Sequence, residues 1–129
     1  MVDPISDMLN RIKNAQVVKK ESLEVPFSKI RFEIGKILER TGFVEKVELK
    51  TKRSKRPIEL ILRYKGGKPA IQGVKRVSKP GKRMYASTAQ LERIARRKGI
   101  TIVSTSKGLM TAGEAKKQNL GGELLGDVW

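Results

Sequence analysis

The sequence contains no cysteine and no histidine. The lack of cysteine excludes disulfides and thiolate nucleophiles, and the lack of both residues excludes most zinc sites. The lack of histidine also removes the commonest general base near neutral pH. The sequence has no P-loop, nucleophile elbow or dinucleotide-binding glycine motif. These absences predict a protein that is not an enzyme and that uses no metal or organic cofactor.

Long apolar runs are also absent, and no run of apolar residues is longer than three. Because about 20 apolar residues are needed to cross a bilayer as a helix, no segment is predicted to span a membrane. The first residues, from Met1 to Pro4, lack the basic region and the apolar region of a signal peptide. We therefore expect a cytoplasmic protein.

Positive charge is what the sequence has in excess. The 29 Lys and Arg residues outnumber the 13 Asp and Glu residues, which gives a net charge of +16. Such a field attracts polyanions, most often nucleic acid. An anionic membrane is the other candidate, but it usually requires an amphipathic anchor with large apolar residues. Residues 66–98 carry a net charge of +9, whereas residues 99–129 carry none. The last segment is therefore expected to act through shape and hydrogen bonding.

Capping residues and apolar spacing predict helix, strand, helix, strand, strand in the first half of the chain. Asp3 is the predicted cap of the first helix, and Ser28 and Gly42 begin and end the second. Residues 43–50 and 58–64 alternate as a hairpin, with Phe43, Val47 and Leu49 sharing one face of its first strand. The loop between them is basic and contains Lys52, Arg53, Lys55 and Arg56.

The second half reads as short strands and short helices. Residues 65–69 are the predicted linker, and Lys79 to Lys82 form a predicted type II turn. Capping-box pairs predict two helices and apolar runs predict four strands. The helices begin at Ser87 and Thr111, and the strands cover residues 71–77, 84–86, 100–103 and 120–129. The predicted fold class is α+β, with an N-terminal α/β domain (1–65) packed against a β-rich C-terminal domain (66–129).

Three consecutive hydroxyl residues, Ser104 to Ser106, end the predicted strand and precede Lys107 and Gly108. Hydroxyls donate and accept hydrogen bonds, so they suit base edges and the 2′-OH of RNA. The alternative is an ordinary Ser/Thr-rich strand end. Tyr85 can stack on an unpaired base or can fill the core. Gly122 and Glu123 offer a carboxylate for a base amino group, or form a simple turn.

Basic residues flank the predicted turn at residues 79–82. Cations on a protruding segment of backbone can bind phosphate oxygens, and Lys79, Lys82 and Arg83 supply such cations. Each basic run taken alone is equally compatible with a solvated surface. The sum of the charges favours nucleic acid.

Several segments together resemble the bacterial small-subunit ribosomal protein S-eight family from end to end. The start and the approach to the second helix carry the resemblance, as do the basic turn, the hydroxyl run and the C-terminus. These segments are residues 3–15 (DPISDMLNRIKNA), 25–29 (VPFSK), 76–83 (RVSKPGKR) with Tyr85, 103–108 (VSTSKG), 121–123 (GGE) and 128–129 (VW).

The resemblance implies two domains and early binding to the central domain of small-subunit rRNA. The hydroxyl run would lie on an internal loop of an irregular rRNA helix, with support from Tyr85 and Glu123. Lys29 and Arg31 would contact a neighbouring rRNA helix. Neighbouring small-subunit proteins would be further partners. Members of the family can also repress translation of their own operon by binding an mRNA that mimics the rRNA site.

Two other classes of function remain as alternatives from the residues. A DNA-binding regulator fits the charge, but no predicted helix carries a dense Arg/Asn/Gln face for the major groove. An RNA-modifying enzyme would have to use Lys or Glu, because histidine, cysteine and a cofactor loop are missing.

The hydroxyl run generates a first prediction. Replacing Thr105 and Ser106 by Ala should weaken specific RNA binding while the salt dependence of binding barely changes, because no charge is removed. Titrations at several salt concentrations measure both quantities. A changed salt slope with unchanged specificity would contradict the predicted division between charge and specificity.

Overall fold

A computed structural model describes residues 3–51 and 56–129 of the 129-residue chain. Lys52, Arg53 and Lys55 of the predicted basic loop lie outside the described residues. The fold class is α+β, as predicted. Contacts divide the chain into two compact units, one ending at Gln72 and the other comprising Gly73–Trp129. By contacts, residues 66–72 belong to the first unit. The predicted domain boundary after residue 65 stays a prediction.

The first unit confirms the predicted order of helix, strand, helix, strand, strand and adds a short hairpin. Its elements are α1 (Pro4–Val17), β1 (Ser22–Val25), α2 (Lys29–Arg40), β2 (Val44–Leu49), β3 (Ile58–Leu62), β4 (Tyr64–Lys65) and β5 (Lys68–Pro69). The predicted caps are present. Asp3 accepts hydrogen bonds from the N–H groups of Ile5 and Ser6, and Ser28 accepts one from the N–H of Arg31 at 3.2 Å. Such caps satisfy donors that the helix leaves unpaired.

An antiparallel sheet in the order β1-β3-β2 supports the two helices of this unit. Strand β3 alternates strictly, and Ile58, Leu60 and Leu62 are its buried residues. Helix α2 packs closely on β2, because a Cβ at Gly35 would lie only 3.1 Å from Val47. The helices contribute fully buried side chains to the same core. These include Met8, Leu9, Ile12, Ile34, Ile37 and Leu38.

Two predictions for the first unit are wrong in detail. Phe43 and Leu49 are only partly buried, and the buried residues of β2 are Val44 and Val47. A register shift between Val44 and Lys46 places both valines on the core side. The predicted linker at residues 65–69 is instead the β4–β5 hairpin, whose two turn glycines have φ values of +57° and +78°. Glycine tolerates such values, so the segment turns sharply.

The second unit contains one five-stranded sheet with two short helices. Its elements are β6 (Val74–Arg76), β7 (Tyr85–Ala86), α3 (Thr88–Ala95), β8 (Ile100–Thr105), β9 (Gly108–Thr111), α4 (Ala112–Lys117) and β10 (Gly122–Val128). The strand order is β6-β10-β8-β9, and β7 also pairs with β10. The apolar core of this sheet and its helices includes Ala86, Leu91, Val103, Met110, Ala112 and Ala115.

Both predicted capping boxes are present in the second unit. In one of them, Ser87 N–H donates to Gln90 at 2.8 Å and Gln90 N–H donates to Ser87 at 3.3 Å. Thr111 and Glu114 form the other. Two predictions need correction, and one strand was missed. Strand β9 was not predicted, strand β6 is shorter than residues 71–77, and the turn at Gly81 lacks the positive φ of a type II turn.

Glu39 carries a pH-dependent contact between α2 and β2. Its carboxylate accepts a hydrogen bond from Val47 N–H at 2.9 Å and lies 3.3 Å from Lys36 Nζ. The Val47 hydrogen bond lowers the pKa of Glu39 below its ordinary value of 4.5; partial burial opposes this effect and Lys36 adds to it. A lowered pKa in the folded state means that ionised Glu39 stabilises the fold above pH 4.5, and that this contribution is lost as the pH falls through the folded-state pKa.

We therefore predict that Glu39→Gln lowers the free energy of unfolding by about 1 kcal/mol at pH 7, because a charge-assisted hydrogen bond becomes a neutral one. The difference from the wild type should shrink as the pH is lowered below 4.5. Urea denaturation from pH 3 to pH 7 measures it. Glu33→Gln, on the same helix, is the matched control for the loss of one charge. A difference that does not vary with pH would contradict the assigned role of Glu39.

Candidate nucleic-acid interface

A row of residues crosses four strands of the second unit at one level. Tyr85 in β7 lies opposite Glu123 in β10, which lies opposite Ser104 in β8, which lies opposite Leu109 in β9. Residues directly opposite one another in antiparallel strands share a sheet face. The next pair, Val103 and Leu124, belongs to the other face and packs into the helix-covered core. The register thus places Glu123 and Ser104 on the face away from the helix-covered core, with Tyr85 directly beside Glu123.

The predicted hydroxyl run continues from this row into the β8–β9 turn. Thr105 and Gly108 pair across the turn, and Ser106 and Lys107 form its exposed tip. The Thr105 hydroxyl donates to the Gly108 carbonyl at 2.9 Å and accepts from Lys107 N–H at 3.0 Å. Gly108 has a φ of +103°, which favours glycine. The Thr105 hydroxyl therefore shapes the turn.

The three hydroxyls of the run differ in what remains for a ligand. Within the described part of the chain, neither Ser104 nor Ser106 has a hydrogen-bond partner for its side chain. Thr105 already uses its single donor. Since a hydroxyl can donate once and accept twice, Ser104 and Ser106 keep their full capacity for a bound polar partner.

Gly122 acts by permitting close packing behind the row. A Cβ at this position would lie 2.2 Å from the Ser104 carbonyl oxygen and 2.9 Å from Val103 Cγ1. No side chain fits at these distances, so strands β10 and β8 could not pair here in the observed register. The predicted site residue Gly122 thus sets the position of its neighbour Glu123 relative to Ser104.

Glu123 joins the row to the basic turn. Its side chain is only 19% exposed, and its carboxylate lies 3.2 Å from Arg83 Nη1. This contact fixes Arg83 beside the row while half of the arginine side chain remains exposed. Glu123 therefore offers acceptor oxygens next to the Ser104 hydroxyl, with a neighbouring cation that reduces its repulsion of phosphate.

A buried hydroxyl that the sequence analysis did not single out holds the basic turn. Ser78 is fully buried; its Oγ accepts from Met84 N–H at 2.9 Å and donates to the Met84 carbonyl at 3.2 Å. Within this clamp, Lys79 and Lys82 exchange backbone hydrogen bonds of 3.0 and 2.9 Å. The exposed side chains of Lys79, Lys82 and Arg83 consequently project from an ordered hairpin. The only sequence signal for this role is that Ser78 is a small polar residue between two basic runs.

Tyr85 does not fill the core, because it is 68% exposed. The core-packing alternative for this residue is therefore wrong. An open groove of about 330 Å³ beside it is lined in part by Gln90, Arg93 and Arg97 of α3 and the residues that follow. Arg93 lies in α3, and Arg97 follows the end of that helix at Ala95. In the helix predicted from Ser87, their spacing of four residues predicts that they share one side. This spacing was the signal that could have identified them as candidates.

Lys29 and Arg31, the two other predicted site residues, lie at the start of α2 in the first unit. Lys29 is exposed. The Arg31 side chain is only 13% exposed; it lies 3.7 Å from the Asp7 carboxylate and donates to the Pro26 carbonyl at 3.4 Å. Arg31 thus connects α1 to the segment before α2, which leaves Lys29 as the more accessible cation.

Over residues 3–51 and 56–129, no three acidic side chains are grouped so that they could hold a metal ion. In the same ranges, every helix is too short or too polar to cross a bilayer.

The clamp around Ser78 generates a prediction. Ser78→Ala should lower the free energy of unfolding by about 1–3 kcal/mol, because the Met84 N–H loses its partner, whereas the Met84 carbonyl keeps its hydrogen bond from Leu124 N–H. The Met84 amide should also exchange its hydrogen faster. Chemical denaturation and hydrogen exchange measure the two effects. Ser106→Ala removes an exposed hydroxyl and should change stability by less than about 0.5 kcal/mol. Equal effects of the two substitutions would contradict the clamp.

Comparisons with known proteins give a consistent result over the whole chain. The family model described as ribosomal protein S8 matches residues 3–129. A protein of Halalkalibacterium halodurans named small ribosomal subunit protein uS8 is 49% identical over 130 residues, covering 100% of this chain and 98% of the relative. Proteins with the same name from Lysinibacillus sphaericus and Staphylococcus aureus are 47% and 43% identical, with the same coverage.

Proposed function

This chain belongs to the ribosomal protein S8 family, and we propose that it binds the central domain of small-subunit rRNA early in assembly of that subunit. Membership of the family makes it a structural, non-enzymatic constituent of the small ribosomal subunit, associated with cytoplasmic ribosomes.

The observation that carries the proposal is the row formed by Tyr85, Glu123 and Ser104 beside the turn with Ser106. It combines an exposed ring, a carboxylate and two hydroxyls that have no protein partner among the described residues. Unpaired bases present donors, acceptors and flat ring faces, and these side chains match all three. A paired RNA helix with a narrow major groove does not present its bases in this way. An internal loop in an irregular helix is therefore the favoured target.

Cations frame this row and supply affinity for the backbone of the RNA. Lys107 lies at the tip of the β8–β9 turn, and Lys79, Lys82 and Arg83 project from the ordered basic turn. Contacts of this kind with phosphates do not depend on base sequence, and they weaken as salt rises. The cations would thus hold the RNA while Ser104, Ser106 and Glu123 distinguish its bases.

Residues of the first unit would contact a second rRNA helix. Lys29 is exposed at the first turn of α2, where the backbone N–H groups and the helix dipole also favour a phosphate. Arg31 is largely covered and paired with Asp7. Its contribution would therefore be mainly to hold the segment that presents Lys29.

Other partners follow from the same proposal. Neighbouring proteins of the small subunit would contact the chain on the ribosome. An mRNA of its own operon that copies the internal loop would compete for the Ser104–Ser106 surface, so the protein would repress its own synthesis when rRNA is scarce. No small-molecule substrate, cofactor or membrane has a part in this function.

Binding at about 0.15 M salt tests the proposal, because nonspecific Kd values there are typically ~10⁻⁴ to 10⁻⁶ M. The targets are an internal-loop fragment of small-subunit rRNA, a fully paired RNA of equal length, and duplex DNA. We expect a strong preference for the internal-loop RNA. Ser104→Ala with Ser106→Ala should cost about 1 kcal/mol of binding free energy for each hydrogen bond removed, with an unchanged salt slope. Ser22→Ala, on a strand of the first unit, is the matched control.

A second arm isolates the charge. Lys79→Gln with Lys82→Gln should weaken binding to all three targets and reduce the salt slope by about 0.7–0.9 for each phosphate that the variant no longer neutralises. Equal and steeply salt-dependent binding of the wild type to all three targets would show that charge alone acts. The proposed role of the Ser104 row would then be withdrawn.

A further inference from the structure

The first unit contains a surface on which aromatic rings and cations alternate. Phe27, just before α2, is 45% exposed. Its ring centroid lies 6.4 Å from that of Phe32, and the guanidinium of Arg56 lies 5.6 Å from the Phe27 centroid. At the other end, Lys36 Nζ lies 5.4 Å from the Phe32 centroid. We name Arg56, Phe27, Phe32 and Lys36 the aromatic-basic strip.

An open groove of about 470 Å³ adjoins one end of this strip. It is lined by Glu24, Val25, Pro26, Phe27, Arg56 and Pro57. Most of these side chains are apolar, whereas Arg56 places a planar cation at its edge. Leaving Phe27 partly exposed is an unusual use of a large apolar side chain in a chain with only three Phe.

Charge distinguishes a nucleic-acid occupant from a protein segment. Lys36 and Arg56 each lie over one of the two rings, and the exposed Lys29 follows Phe27 by two residues. Glu24 is the one acidic side chain among the described residues that line the groove. Lys36 is paired with Glu39, whereas Arg56 lies over the Phe27 ring. An apolar protein segment would gain from the rings but little from these cations. A nucleotide would use both, since its base stacks and its phosphate pairs with Lys or Arg.

We propose that the aromatic-basic strip is a stacking site for an unpaired base of RNA, separate from the Ser104 row. The base lies on Phe27 against the guanidinium of Arg56, and the flanking phosphate contacts Lys29. The groove between Phe27, Pro26 and Pro57 accommodates the ring of the nucleotide. This inference rests on the proposed RNA-binding function, and it adds a base contact to a unit for which charge alone predicts contacts with phosphates.

NMR on the full-length chain tests the stacking directly. The three Phe residues allow a simple spectrum of ¹³C-labelled rings, and the probe is a single-stranded, unpaired adenine octanucleotide RNA. We expect the Phe27 ring protons to shift upfield and to show contacts with adenine protons. Phe43 is the internal control, because the 12 residues of α2 separate it from Phe27 by about 18 Å.

Substitutions separate stacking from apolar contact. Phe27→Ala should weaken binding of the octanucleotide about 5- to 150-fold, the range expected for the loss of one stacked base. Phe27→Tyr should retain binding, and Phe27→Leu, which keeps apolar bulk without an aromatic face, should lose most of it. Circular dichroism and the melting temperature of each variant check that the fold persists.

Two results would overturn the inference. The first is a Phe27 ring that does not respond to the RNA. The second is wild-type affinity in Phe27→Leu, which would indicate an apolar docking surface for a protein segment. The Ser104→Ala/Ser106→Ala protein serves as a parallel sample. A Phe27 response that persists in this variant, together with no preference for internal-loop RNA in the wild type, would leave the stacking site valid while the proposed rRNA function failed.

Discussion

Strand β10 forms backbone hydrogen bonds with three other strands, β6, β7 and β8. The polar row and the basic turn of the second unit both depend on this pairing. The pairing is close because Gly122 has no side chain to meet the Ser104 carbonyl. One result is that Glu123 lies between Tyr85 and Ser104, which come from strands far apart in sequence. A second is that the chain around Ser78 is anchored by hydrogen bonds to Leu124 and Met84. The same strand thus positions both the polar row and the basic turn.

The proposed RNA interface would separate two physical tasks. The basic turn, the lysine at the β8–β9 tip and the arginines near α3 supply a field that acts at long range and depends on salt. The row around Ser104 is nearly neutral, and its contacts need accurate geometry. Arg83 belongs to both, because it pairs with Glu123 while it remains half exposed. This pair keeps a carboxylate inside a positive field without leaving it uncompensated.

The candidate site also shows how similar residues take different roles. Ser104, Thr105 and Ser106 are consecutive hydroxyl residues, yet the Thr105 hydroxyl holds the turn and the other two are open to a ligand. Lys29 and Arg31 are two residues apart on a helix, yet one is exposed and the other is paired with Asp7. Phe27 and Tyr85 are the exposed aromatics that the fold places beside cations, one in each unit.

Features that depend on near neighbours in the chain could be predicted from the sequence alone. Asp3, Ser28, Ser87 and Thr111 cap their helices through residues two or three positions away, and the alternation in β3 follows from the period of a strand. The net charge of the chain and its missing residue types also indicated the class of partner to consider, which is nucleic acid. The remaining features required the tertiary structure, because they depend on residues that are distant in the chain. The register of Glu123 against Ser104, the bulge that turns Val44 inward and the Ser78 clamp all require partners that local propensity does not specify. Strand β9 went unpredicted for the same reason: a four-residue segment beginning with glycine becomes a strand only when β8 pairs with it.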